Sequence, residues 1–546
     1  MSESVGARLR RNTRAGMITW AWGQVVMMVR LAIYYKFLGE EGYGLWFLAF
    51  SIMSYFVFYN FGINNAFIKY TAEYHAKKDY RELSHILSTG MAAAVAMGIG
   101  IVIVLFLFTD RVIAFFDFEP DNVADAAFVV KGVGVVTAFT VGCGVYNSVL
   151  IGIQRLDVLN IARVAFLTVE VVVATTLLFA GFGIRMLVFT YGAGMLFSYL
   201  AMAGFVWHYV PDLRLNPLHA RRRCVPAMLS LGGRMQLLGA VALFVATVDG
   251  IVFAKLGGLA FLGVYAIARR VATRAQGAAL QAFGALTPAS ADLLARKDYE
   301  GLSRVYGTAL RICCLGCVYL FGFMAVNSDY TMLFFQGDQY NPLSAGALTF
   351  LSAALAIHTL TGPGTSMLRG AGWTVQEITY QLATLAFFLA AAFLAHHYGA
   401  DDQTVVLTYP LAVSVGSLLF VVIANRFFRV PLLTPLSNAA PRKTGDKRGW
   451  TLWTVWTIWT RGMLLLIMAG PALAWAVRLA WDAMHLDLPF TRWWAIVVLL
   501  ILGLPYTGLF ALAAWFLPGL TAHDKAQIVK FVPGAHRLVG RYLPSA

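Results

Sequence analysis

Charge is scarce in this chain. Asp, Glu, Lys and Arg make up 13% of its 546 residues, against about 25% in a soluble domain. A surface so poor in charge cannot enclose a water-soluble globule of this size. Cysteine is scarce as well. Of five, Cys313, Cys314 and Cys317 share one apolar run and Cys143 lies in another; thiols so placed are expected to be small packing groups, not metal ligands or disulfide partners. No Gly-x-x-x-x-Gly-Lys-Ser/Thr sequence occurs, which argues against ATP-driven transport by this chain alone. Nor does any catalytic triad or metal constellation emerge, so an enzyme and a cofactor are not expected.

What the chain has is apolar length: 59% hydrophobic residues and a mean hydropathy of +0.70. Apolar runs of about 20 residues span a bilayer as helices. Fourteen are read here, over 15–38, 43–68, 86–108, 126–153, 158–180, 186–210, 230–254, 259–286, 304–327, 344–368, 374–398, 404–427, 462–481 and 493–517. The fold class expected is therefore an all-α polytopic membrane protein. The first run is too long for a signal peptide and has no small-residue cleavage site after it, so it is expected to remain as a helix.

The net charge of +15 is distributed in alternate loops. Cations cluster at Arg8–Arg14, Lys77–Arg81, Arg221–Arg223, Arg296–Lys297, Arg442–Arg448 and Lys525–Arg541, while the intervening loops carry Asp110–Asp125, Asp329 and Asp338, Asp401 and Asp402, Asp482 and Asp487. This is the positive-inside pattern. It places both termini in the cytoplasm, as an even number of spans requires, and accounts for the basic balance without a nucleic-acid partner. The longest external loop is then about 109–125, too little to hold the catalytic groups of a membrane glycosyltransferase.

The sequence also repeats itself. Ala76-Lys77-Lys78-Asp79-Tyr80 returns 219 residues later as Ala295-Arg296-Lys297-Asp298-Tyr299, and Lys36 and Gly44 return as Lys255 and Gly263. Repeats this long in an apolar chain mark a duplicated transporter, here in parallel orientation. The organisation read from it is a six-helix lobe over 1–216, a second over 217–430, a linker over 431–461, an extra helix pair over 462–517 and a cytoplasmic tail over 518–546. Within the linker, Trp450, Trp453, Trp456 and Trp459 recur every third residue, which reads as an interfacial helix.

Ionisable residues inside spans are costly in lipid and mark function. Arg270, Arg274, Gly277 and Gln281 line one face of the eighth span, with Arg269, Thr273 and Gln276 beside them. Guanidiniums at this depth suit a di-anion, because Arg bonds phosphate oxygens as a fork; pairing with carboxylates elsewhere in the bundle is the other reading. Arg30 lies in the first span and its repeat mate is Asp249. The two either pair directly or act separately, Arg30 on the anion and Asp249 on a coupling cation. Glu170, seven residues after Arg163, is a candidate for proton coupling or for an ion pair with a nearby Arg, and Glu377 is a further candidate. Gly142 and Gly144 in the fourth span, and Gly362, Pro363 and Gly364 in the tenth, are candidate hinges.

The stretch Phe37-Leu38-Gly39-Glu40-Glu41-Gly42-Tyr43-Gly44-Leu45-Trp46, followed by Asn60-Phe61-Gly62-Ile63, resembles the polysaccharide-unit flippases of the multidrug/oligosaccharidyl-lipid/polysaccharide exporter superfamily. The resemblance covers about residues 1–430. It implies a flippase that moves undecaprenyl-diphosphate-linked oligosaccharide across the cell inner membrane by alternating access, for O-antigen or exopolysaccharide synthesis. It implies coupling to H+ or Na+, and as partners membrane lipid, polysaccharide polymerase and export proteins. Arg30, Arg269, Arg270 and Arg274 are the positions it assigns to the diphosphate. The chain departs from the family in having Asn60 where many members have Asp, and fourteen spans where many have twelve. Fourteen spans are similar to the lipid II flippases, so a lipid II substrate stays open. So do a multidrug exporter, whose cationic substrates arginines would repel, and a non-transporting partner in polysaccharide assembly.

Overall fold

A computed structural model describes residues 5–56, 63–116, 118–217, 220–221, 224–225, 233–280, 283, 286–372, 375–428, 461–483 and 491–516. The linker with its tryptophans, the tail over 518–546 and the Asn60-Phe61-Gly62 stretch lie outside these residues. No strand occurs among the described residues. The helices are α1 Val5–Phe56, α2 Ile63–Lys77, α3 Tyr80–Phe116, α4 Pro120–Gly152, α5 Leu156–Phe179, α6 Ile184–Tyr209, α7 Gly233–Leu280, α8 Leu286–Ala295, α9 Tyr299–Val326, α10 Ser328–Gln336, α11 Pro342–Thr359, α12 Thr361–Gly370, α13 Val375–His397, α14 Asp402–Phe427, α15 Arg461–Ala483 and α16 Arg492–Phe516.

Among the described residues, ten helices are long and apolar enough to cross a bilayer. In hydrocarbon only helices that satisfy their own backbone, or closed barrels, can do so. Leu107, Phe179 and Leu504 are exposed, as suits side chains whose solvent is lipid. The chain is a multi-pass membrane protein.

Two compact units divide it, Met1–Ile267 and Ala268–Ala546. In the first, α3 packs on α4, α4 on α2 and α6, and α5 on α1 and α6. Its core joins Phe67 of α2, Leu83 and Leu87 of α3, Val145 and Val149 of α4, Leu159 of α5 and Met202 and Val206 of α6. In the second, α14 packs on α11 and α13, α9 on α11 and α15, and α8 on α12. The last pair, α15 and α16, joins this unit through α9 and α10. Tyr506 of α16 stacks on Tyr319 of α9 at 5.4 Å, and Arg478 of α15 donates to both oxygens of Asp329 on α10 at 2.8 and 2.7 Å.

The sequence repeat recurs in the backbone. Lys78 and Lys297, 219 residues apart, both take the left-handed conformation, with φ 56° and 57°. The residue after each caps the next helix: Asp79 accepts from the Glu82 amide at 3.0 Å and Asp298 from the Gly301 amide at 2.8 Å. Gly39 interrupts α1 at φ 67°, ψ −172°, and its repeat mate Gly258 interrupts α7 at φ 74°, ψ −172°. Only glycine adopts this region without strain, so each long helix is two helical segments joined at a glycine. Within the first unit, the segments after these breaks pack closely. A Cβ on Gly44 would collide with the Leu259 carbonyl, and one on Gly263 with the Glu40 carbonyl.

Candidate functional site

The two units each carry an arginine seated on aromatic rings, half-buried in the first and buried in the second. In the first, Arg30 and Tyr34 lie one turn apart on the opening segment of α1. The Arg30 guanidinium carbon is 4.9 Å from the Tyr34 ring centre, 5.9 Å from Trp46 and 5.9 Å from Tyr191 of α6. Such cation–π contacts hold a desolvated guanidinium at about 2 kcal/mol each. Its ionic partner is Glu170 of α5, 3.5 Å from Nη1 to Oε2. The other oxygen, Oε1, accepts the Tyr34 hydroxyl at 2.9 Å. Glu170 is 5% exposed, and Gly194 of α6 leaves room for its side chain: a Cβ there would lie 3.0 Å from the Glu170 Cβ.

The arginine beside Glu170 is Arg30, not Arg163. Seven residues of helix separate Arg163 and Glu170 by about 10 Å along the axis, beyond an ion pair. Nor does Arg30 pair with its repeat mate: Asp249, 1% exposed, accepts the Tyr265 hydroxyl at 2.6 Å.

In the second unit Arg269, 7% exposed, donates through Nη2 to the Tyr409 hydroxyl at 2.8 Å and lies 4.9 Å from that ring's centre. Phe388 meets Tyr409 edge-on at 5.3 Å. Thr273 turns its hydroxyl back onto the Arg269 carbonyl at 2.8 Å. On α11, His358 Nδ1 is 2.9 Å from the Ser417 hydroxyl of α14. Arg270 and Arg274 are half-buried on the next stripe of α7. The four arginines thus divide between the units, Arg30 in one and Arg269, Arg270 and Arg274 in the other.

The remaining sequence candidates lie as follows. Glu377, 1% exposed, is gripped in a fork by Arg369, Nε to Oε2 at 2.9 Å and Nη2 to Oε1 at 2.5 Å. Gly142 and Gly144 sit inside the unbroken helix α4, where α4 packs closely: Cβ atoms on them would lie 3.2 Å from Val95 and 3.1 Å from Asn64. Gly362, Pro363 and Gly364 follow the α11–α12 joint at Leu360, whose backbone stays right-handed helical at φ −63°, ψ −17°. A Cβ on Gly364 would lie 3.0 Å from Phe420. Among the described residues no group of His, Cys, Asp or Glu is placed to hold a metal.

Sequence reasoning missed Tyr34, Trp46, Tyr191, Tyr409 and His358. For two of them a partial signal existed: Tyr191 and Tyr409 stand 218 residues apart, one residue short of the 219-residue repeat. Tyrosines look like ordinary apolar filler, which hid them.

A family model described as polysaccharide biosynthesis protein matches residues 10–294, just over half of the chain. The chain belongs to this family. No protein of curated function matches its sequence significantly. The fold of this polysaccharide biosynthesis protein is similar to several solved structures. One is an inward-facing MATE family multidrug resistance transporter of the MOP superfamily, with TM-score 0.64 and 15% identity over 74% of this chain and 94% of that one. Another is the lipid II flippase MurJ in an inward closed conformation, with TM-score 0.62 and 11% identity over 91% of this chain and 97% of that one. A third is a MOP superfamily transporter from Pyrococcus furiosus Vc1 (DSM3638), with TM-score 0.52 and 15% identity over 78% and 96%. At these identities the likeness is one of fold: the chain has the architecture of MOP-superfamily transporters.

Proposed function

We propose that this protein is a flippase that carries polyprenyl-diphosphate-linked oligosaccharide from the cytoplasmic to the external leaflet of the inner membrane, driven by a proton or sodium gradient. Both termini face the cytoplasm. The observation that carries the reading is the set of arginines inside the helical bundles of a polysaccharide biosynthesis protein. Half-buried Arg30 and buried Arg269 sit on aromatic rings, and Arg270 and Arg274 follow the latter on the same helix. A diphosphate cannot cross hydrocarbon unaided, and fixed guanidiniums replace its hydration. The polyprenyl tail needs no such help, because it stays in lipid. A drug exporter taking cations would be repelled by the same groups.

Lipid II, itself a polyprenyl diphosphate, is the second reading. The extent of the likeness favours it: the MurJ fold covers 91% of this chain, against 74% for the inward-facing MATE transporter.

The test is flipping of fluorescent polyprenyl-diphosphate oligosaccharide in proteoliposomes, with and without imposed proton or sodium gradients. Transport by wild type and its loss in the Arg270→Ala/Arg274→Ala double variant are expected. Absence of transport of any such lipid by folded protein overturns the reading.

A further inference from the structure

Two turns from Glu170 along the same face of α5, Arg163 stands without a counter-ion. Among the described residues no ion pair involves it, and Glu170 is taken by Arg30 and Tyr34. Exposed Ile161, Val169 and Val172 mark the lipid-facing stripe of α5. Arg163 lies two residues from Ile161, about 200° round the helix, on the stripe of buried Glu170 and Ala174. It is nevertheless exposed, so open space borders it on the inner side of α5. The groups beside it are neutral. Tyr199 of α6 is close enough to act on its charge, and the Asn147 amide of α4 donates to the Tyr199 hydroxyl at 3.5 Å. Phe139, eight residues before Asn147 on the same face of α4, meets the Tyr199 ring edge-on at 6.0 Å. Asn147 Oδ1 is buried and has no hydrogen-bond partner.

A guanidinium inside a helical bundle is costly to desolvate, and neutral dipoles return only part of that cost. An anion brought by a ligand returns the rest. The guanidinium fork fits phosphate oxygens, and an amide beside a hydroxyl offers the donors and acceptors that sugar hydroxyls pair with. Arg30 already faces a carboxylate at 3.5 Å, a competitor that Arg163 lacks among the described residues. Resting on the lipid-diphosphate reading above, we propose that Arg163, Tyr199 and Asn147 form a substrate subsite in the first unit. Arg163 takes the diphosphate of the polyprenyl lipid, and Asn147 and Tyr199 take hydroxyls of the sugar attached to it. A turn of the Asn147 amide about its last torsion frees Oδ1 to accept from such a hydroxyl. The subsite lies about 10 Å from the level of Glu170, toward the end of α5 that the alternating loop charges assign to the cytoplasm. An entering head group thus meets Arg163 before Arg30.

The experiment is calorimetric titration of the full chain in phosphatidylcholine nanodiscs with two probes, farnesyl diphosphate and the same lipid bearing N-acetylglucosamine. Arg163→Gln is expected to weaken both probes by about ten- to a hundredfold, the loss of a hydrogen-bonded charge. Asn147→Ala should weaken only the sugar-bearing probe, by about three- to tenfold, a selectivity that a merely structural role would not produce. Arg163→Lys, which keeps the charge without the fork, should fall between wild type and Arg163→Gln. Adding phosphatidylglycerol to the nanodiscs should leave the difference between wild type and Arg163→Gln in place. Its disappearance would assign Arg163 to a phospholipid head group and overturn the inference. Equal affinities of wild type and Arg163→Gln also overturn it while leaving the flippase reading in place, as does equal weakening of the two probes by Asn147→Ala. No binding of either probe by wild type overturns both. Should Arg163→Gln not fold, the Arg163→Lys and Asn147→Ala profiles decide the same question.

Discussion

Replacing Gly258 by alanine tests the claim that two long helices are broken by backbone conformation alone. At φ 74°, ψ −172° the residue lies in the glycine-only region, and a Cβ there would meet nothing within 4 Å. Any cost is therefore torsional, about 1–3 kcal/mol. Gly39→Ala should cost the same, since it has φ 67°, ψ −172° and equally open space. The contrast is Gly204→Ala, inside α6 with nothing within 4 Å of its Cβ. Alanine in a helix interior gains about 0.5–1 kcal/mol over glycine. The two kinds of site should thus separate by about 1.5–4 kcal/mol, although all three substitutions add one methyl to empty space. Equilibrium unfolding of purified protein in a mild detergent with increasing denaturant reads this directly. If Gly258→Ala and Gly204→Ala shift stability alike, the helix break is not held at Gly258 and the account of α7 fails.

Gly370→Ala would drive a methyl into the Thr287 carbonyl and the Ser290 hydroxyl, costing about 1–3 kcal/mol. Ser290→Ala should not rescue it, because the backbone carbonyl remains; rescue in thermal unfolding would show the side chain to be the obstacle. Arg478→Ala and Asp329→Ala should each loosen α15 from α10. A double-mutant cycle should give a coupling of about 0.5–3 kcal/mol, and additivity within error would remove the bidentate pair as a fastening of the last helix pair. Tyr409→Phe deletes the hydroxyl that receives Arg269 at 2.8 Å while keeping the ring. Flipping in proteoliposomes should fall more for Tyr409→Ala, which also removes the cation–π face, than for Tyr409→Phe; equal losses would assign the role to the hydroxyl alone.

Membrane class, the helical character of the chain and the 219-residue repeat were legible because each is a one-dimensional pattern. Hydropathy reads out bilayer thickness, and repeated residues such as Asp79 and Asp298 keep the same cap because local turn chemistry depends on neighbours in sequence. The helix breaks were less legible. Paired glycines at 142 and 144 looked like a hinge, yet their helix runs straight through, because packing against α2 and α3 calls for small residues just as a bend does. At Gly39 and Gly258 nothing in composition distinguishes a left-handed glycine from a helical one.

The sequence by itself placed Arg30, Glu170 and Arg269 within apolar runs, where a charge is costly to leave alone, and Glu377 near the start of another. Only the tertiary structure decided their partners. Glu170 received Arg30 from α1 and Tyr34 beside it, Arg269 received Tyr409 from α14, and Glu377 received Arg369 from the preceding helix. A desolvated charge must be compensated by whatever polar group lies within about 4 Å. Which group that is depends on how helices cross, and crossing is set by side-chain packing between segments up to 140 residues apart, a relation that no local pattern records.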